Sequence, residues 1–420
     1  MKLNRRTFLA SASLASATLA APAVMGQTRP RVVVIGGGSG GGTVARYLAK
    51  DSGGALDVTL IEPTKRYYTC YFSNLYLGGF WDYEALGHGY GNIARAGVNV
   101  IHEWAVGVDR DAKTVALSSG ESVPYDRLVV APGIDFVDGS VPGWNISQQG
   151  LMPHAYKSGT QVQLLKAQIE NMREGGTFCM VAPPNPYRCP PGPGERVSMI
   201  AHMLKQSNPT AKILILDPKE TYSKQALFEE GWERHYPGMV TRIGPDLGGN
   251  AVEVRPETME VVIDGEAESV DVCNVIPAQK AGKIAQLAGL TAESGWAPVK
   301  PADMRSKMDD NVFVIGDASA QGDMPKSGFS ANSQAKVVAN VIRGELTGSR
   351  VFPARYSNTC WSLIATDDGV KVGASYEPTD EKIASVSSFI SQTGEEAALR
   401  KQTYEESIGW YNGIVADIFG

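Results

Sequence analysis

The chain has 420 residues, 43% hydrophobic and 20% charged, which is enough apolar material for two or three domains and too mixed for a collagen, a coiled coil or a wholly disordered chain. A formal charge of −6 argues against a nucleic-acid partner, because such partners are held by cationic side chains on phosphates. Beyond the N-terminal region no apolar run is long enough to cross a bilayer, so no integral membrane segment is expected.

The first segment reads as an address. Asn4-Arg5-Arg6-Thr7-Phe8-Leu9 precedes a short Ala/Ser-rich apolar run and Ala21-Pro22-Ala23, the order of a twin-arginine export signal. Residues 1–28 are therefore expected to leave the chain, between Ala23 and Arg29, and the mature protein to be periplasmic. Loss of Lys2, Arg5 and Arg6 would make it more acidic still. Five cysteines is an odd number for an oxidising compartment, so at least one is expected to do something other than pair.

Arg31-Val32-Val33-Val34-Ile35 is apolar and β-branched, as a buried parallel strand is, and runs into Gly36-Gly37-Gly38-Ser39-Gly40-Gly41 and a helical pattern through Leu48. A second strand, Asp57 to Ile61, ends at Glu62, 21 residues beyond Gly41. Strand, glycine turn, helix and a distant acid form a dinucleotide-binding unit. Gly36, Gly38 and Gly41 let backbone approach a pyrophosphate at a helix N-terminus, and Glu62 accepts from a ribose.

Tyr125-Asp126-Arg127-Leu128-Val129-Val130-Ala131-Pro132-Gly133 resembles the turn closing the first half of the FAD domain in disulfide reductase-like flavoproteins. Asn311 to Ala318 supplies the far half, with Gly316-Asp317 at a strand end. The resemblance places the Asp317 carboxylate on the ribityl chain of FAD, and expects a helix beginning after Ser330-Ala331-Asn332-Ser333-Gln334 to aim its dipole at the flavin. An insert from about Pro142 to Ile276 repeats the plan with strands Gly176 to Ala182 and Lys212 to Asp217. Its turn, Pro183 to Glu195, is full of prolines, which have no N–H for a phosphate, so nicotinamide nucleotide is a poor candidate. The fold expected is α/β. Two Rossmann-like domains of the glutathione reductase kind (29–141 with 277–351, and 142–276) are followed by a C-terminal α+β interface domain (352–420). That last region carries strands near Val370 to Tyr376 and a helical end at Ser407 to Val415.

Three cysteine segments make the resemblance specific: Tyr67-Tyr68-Thr69-Cys70-Tyr71-Phe72-Ser73-Asn74, Tyr187-Arg188-Cys189-Pro190-Pro191-Gly192-Pro193 and Ser357-Asn358-Thr359-Cys360-Trp361-Ser362. They are similar to those of the flavocytochrome c sulfide dehydrogenase flavoprotein family, over nearly the whole mature chain. That resemblance implies a sulfur bond from Cys70 to the 8α-methyl of FAD, and a redox-active disulfide between Cys189 and Cys360. It also places a carboxylate, Glu195, six residues after Cys189 as a base. Taken alone, the residues also fit a buried thiol, a structural disulfide and a solvated helix start. Cys179 and Cys273 lie in apolar strands and read as packing. The family's activity is oxidation of sulfide to sulfane sulfur or polysulfide, with electrons passed to a c-type cytochrome subunit. No Cys-x-x-Cys-His occurs, so haem would belong to that partner. His88, His102, His154, His202 and His235 lack HxxxH or HExxH spacing, and no metal is expected. A sulfide:quinone oxidoreductase and a non-catalytic flavin-binding subunit remain as other readings.

Overall fold

The computed structural model describes residues 29–157 and 159–420; the segment expected to be an export signal, Arg5 and Arg6 included, lies outside the described residues. The chain enters through β1 (Arg31–Ile35), α1 (Ser39–Asp51), β2 (Asp57–Ile61), a short α2 (Ser73–Leu77), β3 (Asn99–Ile101) and β4 (Arg127–Val130). It then builds a second unit from β5 (Thr177–Val181), α3 (Gly192–Ser207), β6 (Lys212–Leu216), α4 (Gln225–His235), β7 (Val240–Ile243) and β8 (Val272–Val275). It returns to the first unit with β9 (Val312–Val314) and α5 (Gly328–Thr347). The C-terminal region is β10 (Tyr356–Ala365), β11 (Asp368–Pro378), β12 (Ile383–Ile390) and α6 (Ala397–Phe419).

The first sheet has the order β9-β4-β1-β2-β3 and all of its pairings are parallel. Val32 to Val34, Leu128 to Val130 and Val312 to Val314 are almost wholly buried, as a sheet covered on both faces requires. The second sheet, β7-β6-β5-β8, is also parallel, and in it Cys179 and Cys273 are register partners with no exposure. These two thiols are packing, as their apolar neighbours imply. The third sheet, β10-β11-β12, is antiparallel.

Two expectations are corrected. The helix expected after Gln334 begins at Gly328, because the Ser327 hydroxyl caps it by accepting from the Ser330 amide at 3.0 Å. The segment Ser330 to Gln334 is thus its first turns. The C-terminal helix is far longer than Ser407 to Val415, running over 23 residues. Its last turns cover the Cys70 segment: Phe419 stacks on Tyr67 at 5.7 Å and Tyr411 on Phe72 at 4.3 Å.

Arg400 ties the C-terminal region to the second unit. It is 1% exposed and donates to Asp368 of β11 at 3.1 Å and Glu230 of α4 at 2.9 Å. Replacing it with methionine leaves three carboxylates, Asp368, Glu230 and Glu395, short of a buried cation, so Arg400→Met is expected to lower stability by roughly 3 kcal/mol, read as a fall in the urea midpoint.

Candidate functional site

At the C-terminal edge of the first sheet lies a long cleft of about 1140 Å³. One end is the glycine turn. Gly36 has φ 96, and a Cβ there would sit 2.3 Å from the Ala131 carbonyl oxygen, so only glycine lets the β1 turn pass the Ala131-Pro132-Gly133 turn. Gly36 and Gly38 line the cleft. Gly41 is not among its lining residues: a Cβ there would fall 1.7 Å from the Gly36 oxygen, so its part is to let α1 pack on the turn. Glu62 lines the cleft at the end of β2 and accepts from the amides of Gly37 at 2.8 Å and Thr64 at 2.9 Å.

Asp317 forms the middle of the cleft. Its Oδ1 is buried and has no hydrogen-bond partner among the described residues. Burial pushes this carboxyl up, and Arg188 and Lys326 oppose the shift. A buried acceptor aimed into a cleft without a donor costs roughly 1–3 kcal/mol, a cost that the hydroxyls of a bound chain would remove. Ser327, Gly328 and Ala331 bring the N-terminal turn of α5 to the same wall. Glycine backbone, an acid at the end of β2, an orphan acceptor and a helix N-terminus together fit FAD.

Cys70 stands where this cleft meets a smaller chamber of about 80 Å³, and Arg188, Ser327 and Gly328 share the common wall. Cys189, Cys360 and Glu195 line the chamber, so residues separated widely in sequence come together there. The sulfurs are not bonded to one another in this structure: Cys70, Cys189 and Cys360 are each a thiol. Cys189 adopts φ 56 and is held by its amide on the Lys326 carbonyl at 2.7 Å. Gly192 makes room for it, since a Cβ there would lie 3.0 Å from the Cys189 sulfur. Cys360 sits in β10, where the Asn358 amide donates to its sulfur at 3.4 Å, and Asn358 in turn accepts from Ser327 at 2.5 Å.

Both thiols are pushed up by burial; at Cys189 the neighbouring Cys360 and Glu195 add to the shift, whereas at Cys360 the Asn358 amide and Lys224 work against it. Glu195 is not a solvated helix start. Its Oε2 accepts from Asn74 at 2.8 Å and its Oε1 from the Leu363 amide at 3.0 Å, and burial raises its pKa. Tyr71, Phe329, Trp361 and Trp410 give the chamber its aromatic side.

Arg188, Asn358 and Lys224 also belong to this site. The first two lie inside quoted motifs, where nothing in residue type distinguishes them; Lys224 sits in an unremarkable polar stretch with no sequence signal. The histidines stand apart: His154 is buried, accepts from the Tyr156 amide and is pushed down to about 3 by burial, and His88 stacks on Phe419.

In the second unit the place of a ribose-binding acid, Asp217 at the end of β6, is filled from within. Lys219 approaches its Oδ1 at 2.6 Å and Arg242 its Oδ2 at 3.1 Å, and Lys219 also donates to the Pro183 carbonyl at 2.7 Å. Among the described residues no cluster of His, Cys, Asp and Glu suits a metal, and no helix is long and apolar enough to cross a membrane.

Comparison with known proteins agrees with this geometry. Residues 162–277 match the family profile "Sulfide dehydrogenase [flavocytochrome c] flavoprotein chain, central", and residues 353–419 match "Flavocytochrome c sulphide dehydrogenase, flavin-binding". Residues 30–169 match "Pyridine nucleotide-disulphide oxidoreductase". The chain is 52% identical over 44 residues to the sulfide dehydrogenase [flavocytochrome c] flavoprotein chain of Chlorobaculum thiosulfatiphilum, covering 10% of this chain and 90% of that sequence. It is 24% identical over 306 residues to the mitochondrial sulfide:quinone oxidoreductase of Mus musculus, covering 69% of this chain. That match spans 65% of the mouse protein, just under two thirds of its length. In fold it resembles the crystallised sulfide:quinone oxidoreductase of Aquifex aeolicus, with a TM-score of 0.67 and 20% identity over 92% of both chains.

The orphan acceptor gives a direct test of the cleft. With no sulfur bond to retain the flavin, as in a Cys70→Ser background, Asp317→Leu is expected to weaken flavin binding at least about tenfold, since one lost charged hydrogen bond costs roughly 1.5–3 kcal/mol. The ratio of visible flavin to protein absorbance reads it.

Proposed function

Because the chain belongs to the flavocytochrome c sulfide dehydrogenase flavoprotein family, we propose that it is a periplasmic enzyme that oxidises hydrosulfide to sulfane sulfur or polysulfide and passes the electrons to a c-type cytochrome subunit. One observation carries the reading: Cys189 and Cys360 line a single chamber whose wall, through Cys70, is also the wall of the flavin cleft. Cys70 is the candidate for a sulfur bond to the flavin, and Arg5-Arg6 for the export signal.

The reactive state of the pair is a Cys189–Cys360 disulfide. Hydrosulfide attacks one sulfur; the new S–S bond makes a persulfide, and the electron pair of the broken bond stays on the other cysteine as a thiolate. A second hydrosulfide removes the sulfane sulfur, the proton goes to Glu195, and re-formation of the disulfide releases two electrons. The balance is two HS⁻ giving HSS⁻, one proton and two electrons. FAD, when bound, supplies the acceptor of an electron pair and its onward delivery one electron at a time. The chamber of about 80 Å³ takes small anions and shields the thiolate from water.

Sulfide added without oxygen should bleach the flavin of the wild type. Cys189→Ser and Cys360→Ser are expected to keep FAD and to lose the bleaching by more than about a thousandfold in rate, as removal of a covalent nucleophile does. Retained bleaching in either variant overturns the disulfide chemistry. Intact mass of the denatured protein should exceed the chain by one FAD, and Cys70→Ser should remove that excess. A sulfide:quinone oxidoreductase reading, favoured by the Mus musculus match, predicts decylquinone reduction at a rate that a c-type cytochrome does not equal.

Glu195 adds a pH dependence. Its pKa is raised by burial, so the base form, and with it kcat/KM, should grow as pH rises through a value above the usual carboxylate range. Glu195→Gln should flatten that acid limb while leaving flavin content unchanged.

A further inference from the structure

Lys224 takes no part in the steps above, yet everything local opposes a lysine there. It is 5% exposed, its backbone is left-handed at φ 64, and it caps the N-terminus of α4, where the helix dipole repels a cation. Its ammonium donates to the Cys360 carbonyl at 3.0 Å and the Ser362 hydroxyl at 2.8 Å, and more weakly to the Val370 carbonyl at 3.4 Å. All three acceptors are neutral. A buried ammonium satisfied only by dipoles keeps its charge available, and the ionisable groups it faces are Cys360, Glu195 and Cys189.

We propose that Lys224 is the counter-cation of the sulfur pair, a positioning residue carried from α4 beneath the Cys360 strand to balance the negative charge that appears when the Cys189–Cys360 disulfide opens. The inference rests on the redox-active pair proposed above. In the disulfide both sulfurs are neutral. After attack, the electron pair of the broken bond sits on a buried thiolate beside the Glu195 carboxylate, and no proton has been taken up. A dry chamber penalises that state unless a cation faces it.

Other groups around the pair are Cys70, Arg188, Tyr156 and Tyr187 in neighbouring loops, Glu195 and Arg196 on α3, Asn358 on β10, Tyr376 on β11 and Ser327 at the start of α5. Arg188 acts on Cys189, whereas Lys224 is the cation acting on Cys360. Burial lowers Lys224 to about 8, so it stays largely protonated near neutral pH. Thiolate formation must in turn hold the lysine proton more tightly, because the coupling is reciprocal.

The test uses the FAD-loaded protein, reduced with a phosphine and alkylated with iodoacetamide over the neutral-to-alkaline range, with Cys189 and Cys360 followed by peptide mass. Lys224→Met is expected to move thiolate formation to higher pH, slowing labelling at neutral pH by about tenfold for each pKa unit. Lys224→Arg should keep the wild-type profile. Lys224→Gln, which retains a donor without charge, should behave as Lys224→Met and serves where methionine does not yield folded flavoprotein. An unshifted profile in a folded, uncharged variant overturns the proposal, as does rescue by Gln equal to rescue by Arg. Labelling of both cysteines without reductant would instead remove the redox pair itself and this proposal with it. An intact disulfide with an unshifted profile removes only the role of Lys224.

Discussion

The proposed sulfur chemistry needs a place dry enough to protect two sulfurs and able to hold the charges that accompany their exchange, and the buried polar network around the chamber meets that constraint. Glu195 is gripped by Asn74 and the Leu363 amide. Asn74 is itself held by Arg196 at 3.1 Å and donates to the Gly192 carbonyl at 3.1 Å. Arg196, 2% exposed, spends its remaining donors on Asn274 and the carbonyls of His154 and Ala155. One carboxylate is thus positioned by α2 of the first unit, α3 and β8 of the second, and β10 of the third. Leaving any member short of its partner costs roughly 1–3 kcal/mol, and more where the group is charged, so the three regions are held in one arrangement.

The C-terminal helix reaches this site both directly, through Ser407 and Trp410 in the chamber wall, and through the Cys70 segment. Phe419 and Tyr411 press on the Cys70 segment, the Tyr411 hydroxyl is 3.2 Å from that of Thr69, and Asp417 accepts from Tyr47 on α1 and Asn332 on α5. The flavin cleft and the sulfur chamber share the wall formed by Cys70, Arg188, Ser327 and Gly328. A shift of α6 would move Cys70 and the carboxylate-holding Asn74 together.

The first Rossmann-like unit was legible because its signals are local: β-branched strands, a glycine turn that only Gly36 and Gly41 can make, and an acid at a fixed distance. The cleft-lining carboxylates Glu62 and Asp317 follow from strand ends, which periodicity marks well. The start of α5 is hidden in the sequence because Ser327-Gly328 has the composition of a loop, and the cap that makes it a helix start, the Ser327 hydroxyl accepting from the Ser330 amide, exists only in the fold. Arg188, Asn358 and Lys224 were not legible, since their roles depend on which distant segment lies opposite. Lys224 shows this best. Its partners are on β10 and β11, far along the chain, and a lysine in a polar stretch reads as solvated surface. Resemblance to a family named Cys70, Cys189 and Cys360; only the folded chain shows that one chamber contains them all.

The second unit shows how a nucleotide-binding plan is turned to another use without changing its framework. The parallel order β7-β6-β5-β8 and the helix after β5 are what a pyrophosphate site needs, and in this chain both of its chemical elements are used differently. The acid at the end of β6, Asp217, is neutralised by Lys219 and Arg242, so it has no free face for a ribose. The turn that would present amides to phosphate carries prolines, and it presents Cys189 just ahead of the α3 N-terminus, where a helix dipole favours a thiolate. Electrons would then reach the flavin cleft from sulfur held by the turn rather than from a hydride donor laid across it. The same geometry accounts for the left-handed backbone at Cys189. Cys189 takes a left-handed φ of 56, and the missing side chain of Gly192 leaves room for its sulfur in the chamber that Cys360 also lines.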